Sequence, residues 1–575
     1  MSTWFTPIGT LGDTGLIRTN LAAARDNPND CPLARSTNAR PLLEEDPKPP
    51  YVAPPLQHFT LKPLMDALDL IEHGRQAVPV VIEQLRSTQG TFGQRSRPRA
   101  HPGLLEWTAA AISHYVAARA ADQHLRQIAG LPLTHPVKDA WVVRRTLGRP
   151  DLRGASAYET TAWGRGYAAL DGSVRDLWLL SFATSKADRP ASEKAAAAYV
   201  AAYGEPCTGG RGRPYQVVND RPGHPGRVVP SQVRVLDVGC GDGSYTTLVD
   251  WDRQQVDHHF AADARPVLAR AVEDTLARPG SSCVKCKAIS GCRTLPRTPN
   301  LLSVALGQQP RARRSISVSD LRSYDACPAH YHLVRQLKLR SPRPEGGAIR
   351  RGRAVDAWLN DRHRVLPAEG CRFTPGAIDV STWMKETFSL PGDEAEQGLR
   401  MLAQHEAVCP LDGLDVHERV LVQHPVTCYD PVSNLVWIAT PDLLHTRAGG
   451  WTWRETKTST GRLYEGKPLL RQYPQLALAV LMLNAGVLGG DVTRSRIELE
   501  LLNPDDVTLE ELDPSQPRVV HEAREILSDL TRPWLHDRSF EPTPGRSCID
   551  CEALHWCRPG QKHMAATTAV DPEDR

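Results

Sequence analysis

No stretch of the sequence reaches the roughly 18 consecutive apolar residues that a membrane-spanning helix needs. The opening MSTWFTPIGTLGDTGLIRTN also lacks a basic stretch followed by an apolar one. These absences argue against a helical membrane protein or a membrane partner and give the expectation of a soluble, cytoplasmic chain. An excess of charge of one sign is missing too: 69 Lys and Arg stand against 66 Asp and Glu, a net of +3. A nucleic-acid partner would therefore have to be held by local patches, not by the field of the whole molecule. No Gly-x4-Gly-Lys-Ser/Thr segment occurs, so the chain has no phosphate-loop motor of its own and any unwinding of a duplex would come from a separate helicase partner.

What the chain does have is length and cysteine. At 575 residues it is too long for one core, and the usual ~150 residues per domain allows two to four units. Thirteen cysteines in a reducing compartment read as metal ligands or bystanders sooner than as disulfides. Their spacing is informative, because Cys283, Cys286 and Cys292 repeat the C-x2-C-x5-C pattern of Cys548, Cys551 and Cys557. Backwards from each tract the order is the same: helix, strand, apolar helix, strand pair, long helix. The chain therefore reads as a duplication. The boundaries expected are a mostly irregular segment at 1–56, a first unit at 57–292, a Pro/Arg-rich linker at 293–314, a second unit at 315–560 and a disordered tail at 561–575.

The duplication bears on one motif. Val235-Leu236-Asp237-Val238-Gly239-Cys240-Gly241-Asp242-Gly243 resembles the glycine-rich loop of S-adenosylmethionine-dependent methyltransferases. Its counterpart in the second unit, Ile497 onward, is a strand, a turn, a strand and a helix running into cysteines. The expectation is accordingly a tight turn between antiparallel strands, with methyl transfer as the lesser alternative.

The chemistry-bearing stretch is Thr440 to Ala479. Asp442 follows a proline; Glu455 lies thirteen residues on (455 − 442), with Thr456 and Lys457 in a strand-like run. Two carboxylates on adjacent strands can hold Mg²⁺ through oxygen, and a lysine two residues past the second projects to the same face because strand side chains alternate. Such a set suits phosphodiester hydrolysis; the bland alternative is a surface hairpin with an ordinary ion pair. Asp171, Thr184 and Lys186 are the matching positions expected in the first unit, where one carboxylate is missing, so that unit is expected to be non-catalytic. Arg311, Arg313, Arg314, Arg350, Arg351 and Arg353, with Trp358 nearby, are candidates for phosphate and base contacts, or simply solvated surface.

Taken in order, Cys327-Pro, the helix with Asp356, the Glu418 strand, Pro441-Asp442, Glu455-Thr456-Lys457, the Gln475 helix and C-x2-C-x5-C resemble the RecB/AddB-type branch of the PD-(D/E)xK nucleases. That branch includes iron-sulfur exonucleases of DNA recombination and CRISPR adaptation. The resemblance covers Ser315 to Pro559 and implies two tandem restriction-endonuclease-like domains of the α/β class, each a central mixed sheet flanked by helices with a terminal cysteine cluster, the first degenerate. It implies Asp442 and Glu455 as ligands of Mg²⁺ or Mn²⁺, the Thr456 carbonyl completing the shell, Lys457 as the catalytic lysine and Gln475 as the helical glutamine, with Gln472 as another register. Neither glutamine has the usual Tyr four residues on. Asp356 stands where such nucleases often carry a metal-binding His, and an Asp can also ligate Mg²⁺.

The resemblance further implies a 4Fe-4S cluster on Cys327, Cys548, Cys551 and Cys557, with tetrahedral zinc as the alternative. Cys31, in a matching Cys-Pro, would join Cys283, Cys286 and Cys292 in a second cluster. The function implied is a metal-dependent deoxyribonuclease, more specifically an exonuclease of DNA repair, recombination or defence, acting on DNA that can be single-stranded. The rival from another class is a non-catalytic iron-sulfur DNA-binding protein.

Overall fold

The structure is a computed structural model and describes every residue except 1–3, 152, 211, 219–228, 303–309, 342–344, 366–369, 372–387, 462–465 and 570–575. In the first half, runs rich in β-branched and aromatic residues form twelve strands. They are β1 (Thr10–Gly12), β2 (Leu16–Asn20), β3 (Leu43–Glu45), β4 (Thr134–Val137), β5 (Ala140–Thr146), β6 (Ala157–Thr161), β7 (Arg165–Ala169), β8 (Val174–Ser181), β9 (Glu205–Gly209), β10 (Tyr215–Val217), β11 (Gln232–Gly239) and β12 (Tyr245–Asp252). Five of them make a sheet in the order β12-β11-β8-β7-β4, in which β11 and β8 are parallel and every other pair antiparallel. A parallel pair needs a crossover. The helix Ala191–Tyr203 lies on that path and buries its alanines beneath the sheet.

The second half contributes β13 (Arg314–Ile316), β14 (Val420–Val422), β15 (Val426–Asp430), β16 (Leu435–Ala439), β17 (Leu443–Arg447), β18 (Gly450–Thr458), β19 (Arg496–Leu502) and β20 (Val507–Leu512). Its five-stranded sheet has the order β14-β17-β18-β19-β20, with β18 and β19 the parallel pair. The crossover helix is Pro474–Asn484, apolar on every side and buried from Leu476 to Leu483. The same correspondence extends to a second layer. β2 runs parallel to β6, which pairs antiparallel with β5; β13 runs parallel to β16, which pairs antiparallel with β15.

The ends of the two halves match as well. β2 and β13 each lead through a helix to a Cys-Pro that opens the next one, Pro32–Asn38 or Pro328–His330. After the last strands, helical segments ending at Glu273 and His536 lead to 3₁₀ turns that carry Cys283 and Cys548. The two mixed sheets flanked by helices are thus the duplication read from the cysteine spacing. The halves pack together: Leu333 and Trp556 of the second lie in the core built around Leu104, Trp107 and Trp178 of the first, and Thr60 Oγ1 donates to the Leu337 carbonyl at 2.8 Å.

Several expectations need correction. The segment 1–56, expected to be mostly irregular, contains β1, β2, β3 and the helix Pro32–Asn38, and Leu16, Ile17 and Ala34 within it are buried. A segment too polar to fold alone is ordered here by the first half's sheet and cysteines. The expected linker packs instead of spanning: Leu295, Leu301 and Leu302 are buried, and Thr298 N donates to the Tyr429 carbonyl at 2.9 Å. Its residues 303–309 lie outside the described residues. The expected tail is helical over Arg558–Ala569. Ser317 caps the helix Val318–Ala326, in a reciprocal box with Asp320.

The glycine-rich motif is a tight turn. β11 and β12 run antiparallel around it, with Val238 opposite Tyr245. A Cβ on Gly241 would stand 2.9 Å from Ala183 Cα and from the Phe182 carbonyl, so this glycine answers to packing.

Trp178 is fully buried in β8, stacked on Tyr245 and met edge-on by Tyr115 and Tyr167. Trp178→Ala should lower the stability of the first half by about 3–5 kcal/mol, read as a drop in the midpoint of chemical unfolding. A loss below about 1 kcal/mol would mean that this face of the sheet is not the core.

Candidate functional site

β18, Gly-Trp-Thr-Trp-Arg-Glu-Thr-Lys-Thr, is the central strand of the second sheet, buried from Gly450 to Glu455 and partly open beyond. Alternation sends Glu455 and Lys457 to one face and Arg454 and Thr456 to the other. Asp442, immediately before β17, comes alongside because β17 and β18 pair with Leu443 opposite Arg454. Its Oδ2 accepts from Thr456 N at 2.7 Å. The Lys457 ammonium then donates to Asp442 Oδ2 at 3.2 Å, Glu455 Oε2 at 3.2 Å and the Thr456 carbonyl at 2.9 Å. Trp453 Nε1 holds the other Glu455 oxygen at 3.1 Å.

Burial pushes the Glu455 carboxyl up to about 7; Lys457 opposes this and the Asp442 charge adds to it. Burial alone would lower Lys457, but Asp442 and Glu455 outweigh it and hold the ammonium above its ordinary value. A cation is what this cluster of oxygens requires, and in the chain as it folds the ammonium fills that role.

Asp356, on the helix Gly347–Val365, reaches the same cluster. Gln423 Nε2 bridges it, donating to Asp356 Oδ1 at 3.2 Å and to Asp442 Oδ1 at 3.0 Å, while Asn360 donates to Asp356 Oδ2 at 3.0 Å. Burial, with the nearby Asp442 charge, raises the Asp356 carboxyl above its usual range. Gln423 was not legible from the sequence; it sits in a left-handed conformation at φ 49° just after β14, and no spacing rule points to it. Gln475 stands in the first turn of the Pro474–Asn484 helix, with no hydrogen bond to this cluster among the described residues. Gln472 turns away and donates to the Lys467 carbonyl at 2.8 Å.

The hard oxygens of Asp442, Glu455, Asp356 and the Thr456 carbonyl are a donor set that fits Mg²⁺ or Mn²⁺. Three of them already converge on one positive charge.

In the first half the corresponding hairpin pairs Arg165 with Trp178. On that register Gly164, Leu179 and Ser181 occupy the positions of Asp442, Glu455 and Lys457. The positions expected from sequence are therefore displaced: Asp171 lies in the β7–β8 turn, accepting from Ser173 N at 3.0 Å and Ser173 Oγ at 2.6 Å, and Thr184 and Lys186 fall beyond the end of β8. The displacement begins at the anchor, since Asp171 lies seven residues past Gly164 (171 − 164). Arg189 pairs with both Asp237 and Glu193, the latter at 2.6 Å, and Arg25 reaches Glu193 at 2.7 Å. The buried carboxylates on this side are thus neutralised by arginines.

Both cysteine quartets assemble. Cys551 lies within electrostatic reach of Cys327, Cys548 and Cys557, and Cys286 of Cys31, Cys283 and Cys292. Burial pushes Cys551 and Cys283 up to about 11 and Cys286 up to about 12. Backbone N–H groups, of Ala553 on Cys551 and of Ala288 on Cys286, oppose that shift. The second-half thiols line one cavity of about 770 Å³. Four thiolates around a single tetrahedral ion would stand about 3.8 Å apart, and neither quartet draws all its sulfurs within 4.8 Å among the described residues. In the second half, four thiols facing one cavity are a donor set that a thiolate-held metal centre fits.

The arginines expected to meet phosphates are largely engaged. Arg351 pairs with Glu394, Arg353 with Glu345 at 2.7 Å and Arg313 with Glu45 at 2.5 Å. Arg314 lies 3.5 Å over the Trp534 ring, and Trp358 packs into two apolar clusters. Among the described residues no helix is long and apolar enough to cross a membrane.

No curated protein matches the chain. Among solved structures it is similar to one titled "Crystal structure of SSO0001", at 13% identity and a TM-score of 0.23, covering 44% of this chain and 89% of that one. The family profile described as the PD-(D/E)XK nuclease superfamily matches residues 315–558. The second half of this chain, which carries Asp442, Glu455 and Lys457, is therefore similar to the PD-(D/E)XK nuclease superfamily over residues 315–558.

Proposed function

We propose that the second half is a divalent-metal-dependent deoxyribonuclease of the iron-sulfur exonuclease type, working at Asp442, Glu455 and Lys457, and that the first half is its non-catalytic sister. The observation that carries this reading is the convergence of Asp442 Oδ2, Glu455 Oε2 and the Thr456 carbonyl within 3.2 Å of one ammonium. Asp442, Glu455, the Thr456 carbonyl and Asp356 would hold Mg²⁺ or Mn²⁺, which when bound polarises the scissile phosphate and acidifies water beside it.

The chain's own groups do the rest. Lys457, kept charged by its two carboxylates, is available to a non-bridging phosphate oxygen once a divalent ion takes its place among the oxygens. Glu455, whose carboxyl sits near 7, can accept the proton of an attacking water at Oε2, the oxygen that Lys457 leaves when it turns to the phosphate. Gln423 holds Asp356 and Asp442 to one another and so fixes the width of the site. A substrate of DNA, threaded as a single strand past the open end of β18 and supplied by a separate helicase, accords with the absence of a phosphate loop.

Cys327, Cys548, Cys551 and Cys557 would hold a 4Fe-4S cluster whose contribution is to tie the start of the domain to its end. Cys31, Cys283, Cys286 and Cys292 would hold a second in the sister half.

With labelled single- and double-stranded DNA and Mg²⁺ or Mn²⁺, Lys457→Ala and Glu455→Gln should each slow cleavage about 10²-fold or more, while Asp171→Asn leaves it unchanged. Equal cleavage by wild type and Lys457→Ala would remove the assignment, and a comparable loss in Asp171→Asn would put chemistry in the first half. Anaerobically purified protein should be coloured and hold about four irons per cluster. Cys551→Ser should lose the second-half cluster's share, and a colourless wild-type protein would contradict a cluster in either half.

A further inference from the structure

On the far side of β18 from Lys457 lies a second concentration of ligand chemistry that neither cysteine quartet nor the carboxylate site uses. The helix Gly347–Val365 carries His363, and Cys371 follows eight residues on (371 − 363). The helix Gly392–Val408 carries His405 in its last turn, and Cys409 caps it. His405 and Cys409 are four apart, the spacing that puts both on one helix face.

All four side chains are buried, with His405 and Cys371 fully so. Their donor atoms all lie within 4.8 Å of one another: His363 Nε2 is 3.4 Å from Cys371 Sγ and 3.9 Å from Cys409 Sγ. Donors around a tetrahedral ion with bonds of 2.0–2.3 Å stand about 3.3–3.8 Å apart, so the quartet is already close to that size.

A second observation aims this cluster at a metal. His405 Nδ1 is 2.6 Å from Glu500 Oε1, a contact in which the ring nitrogen donates and the carboxylate accepts. That orients the ring so that Nε2 faces the other three side chains. Nε2 is buried and lies against the Cys409 thiol. A carboxylate holding the outer nitrogen of a histidine whose inner nitrogen faces other ligands is the arrangement around structural zinc. Two imidazoles left facing thiols in a buried place with no ion would be polar groups buried at a cost.

We propose that His363, Cys371, His405 and Cys409 bind one structural Zn²⁺ that fastens the Gly347–Val365 and Gly392–Val408 helices to the back of the second half's sheet. Two thiolates and two imidazoles close a tetrahedral shell with no open position, which selects zinc and excludes a hydrolytic role. Glu500 carries the effect inward. Its other oxygen accepts from Thr456 Oγ1 at 2.9 Å, and Thr456 N donates to Asp442 at 2.7 Å. The ion thus steadies, from behind, the strand that bears Glu455 and Lys457. The binding claim does not rest on the nuclease reading, since metal content is measurable whatever the protein cuts.

The test is elemental analysis of the full-length protein grown with zinc, wild type against Cys371→Ser/Cys409→Ser, with iron measured in the same samples. Zinc should fall by one equivalent per chain in the double variant while iron is unchanged. His405→Cys, which keeps four ligands, should retain the zinc and, loaded with Co²⁺, give tetrahedral cobalt bands with more thiolate charge transfer than wild type. Zinc equal in wild type and double variant overturns the proposal, as does wild-type protein with no zinc. A Cys371–Cys409 disulfide found by thiol trapping in zinc-replete protein overturns it as well, because two thiolates would then be lost.

Discussion

The second half is organised around a problem of like charge. Asp442 and Glu455 are brought together by the pairing of β17 with β18, in a place where burial already pushes Glu455 up to about 7. Two carboxylates so placed need a cation between them. Lys457 meets that need from the same face of the same strand, because residues two apart on a strand project together. Every other feature of the site serves this triangle: Trp453 and Thr456 fix the oxygens, Gln423 ties in Asp356, and Glu500 anchors Thr456 from the opposite face. A strand register that gathers oxygens around one ammonium would, on the proposed reading, let a divalent ion take the ammonium's place.

The first half has the same sheet order and the same parallel pair but a different electrostatic solution. Gly164, Leu179 and Ser181 replace the triangle, and the acidic side chains that remain, Asp237 and Glu193, are neutralised by Arg189 and Arg25. The sheet still buries the crossover helix and the half still carries its cysteine turn, neither of which depends on the triangle. Cys31 joins Cys283, Cys286 and Cys292 just as Cys327 joins the later trio, through the same helix-opening Cys-Pro.

Much of this was legible in the sequence, and the reasons it was or was not are physical. The cysteine tracts could be read because their spacing is short and repeated, and the order of elements could be read backwards from them. Asp442, Glu455 and Lys457 could be read because a strand alternates and proline marks its edge. What escaped are the partners set by tertiary approach. Gln423 and Glu500 meet the site across strands, and the first half's equivalents were misplaced because the anchor chosen, Asp171, lies in the β7–β8 turn, seven residues past Gly164 (171 − 164). The His363, Cys371, His405 and Cys409 set is spread over two helices and a loop; the His-x3-Cys step at the end of one helix was its only local trace. The irregular segment expected at residues 1–56 is ordered by what it packs against.

The central claim is that Asp442, Glu455 and Lys457 form one exchangeable cation site. Titration of the full-length protein with Mn²⁺, followed by the loss of the free ion's magnetic resonance signal, tests it directly. The account predicts one site per chain that is abolished in Asp442→Asn and tightens as pH rises through about 7, where Glu455 gives up its proton. Mn²⁺ binding that is indifferent to Asp442→Asn, or absent from the wild type above that pH, would contradict it.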